Sequence, residues 1–154
     1  MKHILFFLFS ACLASVACSS SKKANSSVIT QGITGKVTEL TGNQMPMVGA
    51  PPRTGRPLMA TVFFYEPTNT SQVTRIGASP VYTAIQTKLV ASVETDSTGN
   101  YTVALPVGSY SVFVKQGKEY YANLFDTNNN IALFVVEEGK LTKFNISVNN
   151  KAIF

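Results

Sequence analysis

The sequence predicts an all-β protein: a seven- to eight-stranded antiparallel β-sandwich behind a signal peptide. Three observations carry this. Short segments place large apolar residues at every second position, as in Tyr101-Thr-Val103-Ala-Leu105 and Tyr110-Ser-Val112-Phe-Val114, which is the period of a strand with one face in the core. Gly, Pro, Asn or Asp interrupt the chain at intervals of roughly ten residues. No segment carries the i, i+3, i+4, i+7 apolar spacing of an amphipathic helix. Composition agrees. The 154 residues are 45% hydrophobic and only 14% charged, against roughly 25% charged in typical soluble domains. Ser, Thr and Asn fill the polar positions, and they suit strands and turns better than helices.

Residues 1–17, MKHILFFLFSACLASVA, read as a lipoprotein signal peptide. Lys2 and His3 form a basic start. Ile4 to Val16 is an apolar run of signal-peptide length, too short to span a bilayer as a helix. Small residues Ser15 and Ala17 precede Cys18. Cys12 competes as an anchor, but its own apolar run, Ile4 to Phe9, is too short. Cleavage before Cys18 leaves that cysteine without an intramolecular disulfide partner. Acylation of its sulfur explains it, each buried methylene contributing about 0.8 kcal/mol to membrane binding. The box resembles the relaxed lipoprotein boxes of the Bacteroidetes group, with Ser15 where Leu is usual. No acidic residue directly follows Cys18, which by analogy with sorting rules points to the outer membrane and leaves its face open. Residues 18–31 read as a flexible polar tether, and 32–154 as one domain of ordinary size.

The elements of that domain follow in order. Ile33 to Leu40 is the first strand, with Ile33, Gly35 and Val37 on one face. The stretch 41–56, rich in Gly and Pro, is an irregular loop. Leu58 to Tyr65 is the most apolar strand and should be central, and Glu66-Pro67 ends it. Residues 67–82 carry no clear pattern. Thr83 to Thr95 reads as one long strand with Leu89, Ala91 and Val93 inward. Asp96 to Asn100 is a turn. Tyr101, Val103 and Leu105 alternate, Pro106-Val-Gly108 turns the chain, and Tyr110, Val112 and Val114 alternate again. Tyr120 to Phe125 and Ile131 to Val136 flank an Asn-rich turn. Phe144, Ile146 and Val148 close the set.

The segment Thr95-Asp-Ser-Thr-Gly99-Asn-Tyr101, followed by Leu105-Pro-Val-Gly108-Ser-Tyr110-Ser-Val112, resembles the carboxypeptidase regulatory-like domain. The opening Ile33-Thr-Gly35-Lys-Val37 and the ending Val136-Glu-Glu-Gly139 with Phe144-Asn-Ile146-Ser-Val148 match its first strand and last hairpin. The resemblance covers roughly residues 32–149. It implies a transthyretin-like sandwich serving as an accessory, carrier or adhesion module.

Catalysis lacks parts. The one histidine, His3, lies in the leader, so the remaining chain has no His base, no Ser-His-Asp triad and no His metal ligand. No cofactor is expected. Glu94 with Asp96 is the remaining carboxylate pair, and Asp96 reads as a turn-capping acceptor. Asp126 to Asn130 resembles the start of a calcium loop with Glu137 in twelfth place, but Ile131 stands where that loop needs Gly. A Lys36–Asn145 isopeptide bond would need both residues buried, and alternation places them outside. The net charge is +5 with no basic run longer than Lys22-Lys23, which is no nucleic-acid footprint. Phe63, Tyr65, Phe113 and Tyr121 are the candidate outward-facing aromatics, able to stack on sugars or seat a protein partner unless the 41–56 or 67–82 stretch covers them. The expected function is a non-catalytic envelope module that binds or scaffolds a protein partner, with carbohydrate binding through these aromatics as the alternative.

Overall fold

A computed structural model describes residues 28–46, 48–49, 51 and 54–154. The expected signal peptide, Cys18 and the expected tether up to residue 27 lie outside the described residues. The domain is an all-β sandwich, as the alternation predicts.

One sheet is built around a long strand, β1 (Gly32–Asn43). Along one edge of β1 lie β7 (Asn100–Ala104) and β2 (Arg56–Pro57), both antiparallel to it. Along the other lie β11 (Leu141–Lys143) and β12 (Ile146–Ile153), both parallel. Parallel neighbours need a crossover. The chain between β1 and β11 supplies it by running through the second sheet. That sheet is antiparallel, in the order β4 (Val73–Arg75), β5 (Val81–Ile85), β9 (Glu119–Tyr121), β8 (Gly108–Gln116), β3 (Thr61–Tyr65) and β6 (Leu89–Glu94). Strand β10 (Leu133–Val136) pairs with the first half of β8, beside β9 on the second half.

The core lies between the sheets. Ile33, Val37, Val62, Phe64, Val114, Val136 and Val148 are all wholly buried. Val62 pairs with Val114, and Phe64 with Val112. The expected inward set Tyr110/Val112/Val114 is likewise buried, and of Phe144/Ile146/Val148 the last two are buried while Phe144 packs partly buried against the core.

Among the described residues, twelve strand segments stand where alternation marks seven or eight. β2, β4 and β11 are only two or three residues long, too short to leave a periodic signal. The single strand expected over Thr83 to Thr95 is two, β5 and β6. Between them Thr87 turns inward to share a 2.6 Å hydrogen bond with Thr68. A register shift between Phe64 and Tyr65 then sets Leu89 against Tyr65. Leu89 is therefore 43% exposed and does not join Ala91 and Val93 against the core. At the start of the domain, Gln31 is already held. Its Nε2 donates to Leu105 O at 3.1 Å and its Oε1 accepts from Gly139 N at 3.0 Å.

Candidate functional site

Alternation along β3 points Val62 and Phe64 into the core and Phe63 and Tyr65 out of the other face of the larger sheet. Register brings Phe113 beside Phe63 and Tyr120 beside Tyr82. Five rings from four strands thus share the outer face. Phe63 meets Tyr120 edge-on at 5.6 Å, Tyr65 meets Phe113 at 5.6 Å and Tyr120 at 6.4 Å, and Tyr82 meets Phe113 at 5.6 Å. Edge-to-face packing at these separations is attractive beyond the area it buries.

The cluster is mostly roofed. The chain leaving β3 folds back over the outer face and forms a 3-10 turn, Thr70–Gln72, closed by a capping box on Asn69. Thr68, wholly buried, pins this segment. Its N–H donates to Ser111 Oγ at 2.9 Å, and its carbonyl accepts Ile131 N–H at 2.8 Å. As a result Phe113 is 0% exposed and Tyr65 is 7% exposed. Burial first, and then the neighbouring Tyr120, pushes the Tyr65 hydroxyl up to about 12.

Three of the four aromatics expected to face solvent therefore do not. Phe113 and Tyr65 face outward from the sheet but lie beneath the segment after β3. Tyr121 is on the opposite face, because it pairs with Val114. It is buried in the core, its hydroxyl reaching β12. Only Phe63 remains half-buried. Tyr120 stands with it, half-buried and outside the expected set. Alternation within Tyr120-Tyr121 was the available signal, since one of the two must face outward. Lys115 Nζ stands 5.6 Å from the Phe63 centroid and 5.9 Å from that of Tyr120, a cation–π arrangement. Phe63, Tyr120 and Lys115 form the accessible rim of the cluster.

The two Asp-led turns share one geometry. Asp96 Oδ1 accepts the N–H groups of Thr98 and Asn100 at 2.8 and 2.9 Å. Asp126 Oδ1 accepts those of Asn128 and Asn130, both at 2.8 Å. The fourth residue has positive φ in each, Gly99 at 81° and Asn129 at 62°. At Gly99 any Cβ would stand 2.4 Å from Val37 O. The Asn130 side chain, then its N–H, hold the Asp126 carboxyl below its usual range. The Thr98 hydroxyl, then the Asn100 N–H, do so for Asp96. In the Asp126 turn these bonds occupy the oxygens that a calcium loop would offer, and Glu137 pairs with Lys140. Among the described residues no three of His, Cys, Asp and Glu gather as a metal site. Asn145 is exposed, and its Oδ1 accepts the Lys36 backbone N–H at 3.1 Å. This is an ordinary hydrogen bond.

Exposed apolar side chains collect elsewhere. β1 and β12 run on as a two-stranded ribbon to Asn43 and Ile153, and Gln44 N–H donates to Ile153 O at 2.8 Å. Met45, Val48, Ile153 and Phe154 at this end are 54–109% exposed. The ribbon end lies about 36 Å along β1 from Gly32, at roughly 3.3 Å per residue.

No protein-family model matches the chain, and neither a curated protein nor a solved structure matches it.

Proposed function

We propose that the protein is an exported lipoprotein, acylated at Cys18, held on the outer membrane, and carrying a carboxypeptidase regulatory-like sandwich as a non-catalytic binding or scaffolding module for an envelope protein. The observation that carries this is the contrast between the two surfaces. Tyr65 and Phe113 are roofed, which removes the broad aromatic platform that sugar stacking would use. Met45, Val48, Ile153 and Phe154 are bare at the ribbon end, far from the Gly32 end where the tether joins. An apolar tip held away from an anchor suits contact with a protein.

The test is a pull-down from solubilised envelopes with the tagged full chain, comparing wild type, Cys18→Ala and Ile153→Asp/Phe154→Asp. Envelope proteins that co-purify with wild type and vanish with the tip variant support the reading. Co-purification that ignores the tip, or none above background, rejects it.

A second reading rests on the rim. Phe63 and Tyr120, half-buried beneath the Lys115 amine, are large enough to stack on one sugar ring. Glycan binding abolished by Phe63→Ala and retained in the tip variant would favour it.

A further inference from the structure

Sheets present backbone N–H and C=O groups at their edges, and proteins guard such edges with Pro, charge, bulges or cover. Here β2 has only two residues and ends in Pro57. β4 has three and carries Arg75. β12 is capped by the Tyr121 hydroxyl, which accepts from Asn149 N–H at 3.2 Å and lies 3.2 Å from Ser147 O. Two edges on one side of the sandwich have neither Pro nor cover: β6 carries only Glu94 and a register shift opposite Tyr65, outside residues 92–94, and β7 carries no charge. Among the described residues β6 pairs only with β3, and β7 only with β1. Neither contains Pro or Lys.

The hydrogen-bond pattern says which groups are open. Thr95 N–H bonds Ala60 O at 2.9 Å, so alternation directs Val93 at β3 and turns Glu94 and Ser92 outward. Val37 N–H bonds Gly99 O at 2.8 Å, so Tyr101 and Val103 face β1 while Thr102 and Ala104 face outward. Asn100 closes on Asp96, its O accepting from Asp96 N–H at 2.9 Å, which ties both open edges to one turn. Equal steps from that closed pair set Val93 of one sheet opposite Val103 of the other.

We infer that the β6–β7 side docks on the same side of a second copy, across a two-fold axis through Val93 and Val103. Antiparallel pairing then sets Ser92 against Glu94 of the second copy in one sheet and Thr102 against Ala104 in the other. All four are outward-facing, so both ladders continue. A single foreign strand would complete only one sheet, whereas a second copy brings two strands at the spacing of the sandwich. Val93 and Val103, both partly buried against the core, meet their counterparts on the axis. Charge agrees, since antiparallel β6 strands bring the Lys88 end of each beside the Asp96 end of the other.

The test uses the full-length exported chain in its membrane. Val93→Cys and Val103→Cys are made singly and treated with copper phenanthroline. Facing positions of a non-hydrogen-bonded antiparallel pair lie close enough for a disulfide. The expected result is a homodimer band from both, and none from Thr74→Cys on the exposed β4. In detergent, wild type should sediment at twice the monomer mass. Ser92→Pro and Thr102→Pro remove outward N–H groups without breaking a ladder bond. They should sediment as folded monomers with a cooperative thermal transition. A monomeric wild type, absent dimer bands, cross-linking equal to Thr74→Cys, or an adduct with a different protein would each overturn the inference.

Discussion

The Tyr121 hydroxyl lies 2.5 Å from Asn149 Oδ1 and accepts the Asn149 backbone N–H at 3.2 Å. One side chain from β9 thus crosses the core and closes the free edge of β12 in the opposite sheet. Burial raises the Tyr121 pKa above its usual value, and the hydroxyl donates to Asn149 Oδ1. Tyr121→Phe should lose about 1–3 kcal/mol, the usual effect of leaving a buried polar group without its partner. Urea unfolding measures this. A midpoint equal to wild type would show that water replaces the hydroxyl.

Gly35 sits where β1 passes Phe144. A Cβ there would stand 1.9 Å from Phe144 O, the same carbonyl that accepts the Tyr101 hydroxyl at 2.6 Å. Gly35→Ala should therefore push β1 away from the chain before β12 and destabilise by more than about 3 kcal/mol, the range of severe backbone clashes. Tyr101→Phe removes the bond without the clash and should have the smaller effect, about 1 kcal/mol. Equal losses would mean that the steric contact relaxes freely.

The paired turns set the acid response. The carboxyls of Asp96 and Asp126 are both held below their unfolded value by hydrogen bonds to the ionised form. A depressed folded pKa contributes stability that is present above the unfolded value, near 3.9 for Asp, and is lost as pH falls through the folded value. Stability of wild type should fall as pH drops below about 4. Asp96→Asn/Asp126→Asn should flatten that part of the profile. Chemical unfolding at a series of pH values decides it, and parallel profiles would reject the assignment.

The proposed acylation at Cys18 has its own check. Labelled palmitate should enter wild type and Cys12→Ala, while Cys18→Ala should take up none and leave the membrane fraction. Label retained in Cys18→Ala would place the anchor elsewhere.

The all-β sandwich was legible because period-two alternation and turn residues are local signals. Tyr110, Val112 and Val114 face the core as their spacing requires, and Asp96 caps its own turn as its residue type suggests. The aromatic surface was not legible. Phe63 and Phe113 do face outward from the sheet, yet Phe113 is covered because Thr68 bonds to Ser111, a partner 43 residues away. Residues 67–82 carried no periodicity, so nothing local announced that cover. Tyr121 faces the core, against the expectation, because the register of a three-residue strand comes from its pairing with Val114.

By itself the sequence determined the element type, the inward faces of strands such as β1 and β8, and the two Asp-led turns. These depend on backbone geometry and nearest neighbours along the chain. The tertiary structure alone decided that β1 would lie parallel to β12, that a loop would roof the aromatic face, and that β6 and β7 would be left open side by side. Each of those depends on which distant segments compete for the same backbone groups and apolar surface, and no local pattern records the outcome of that competition.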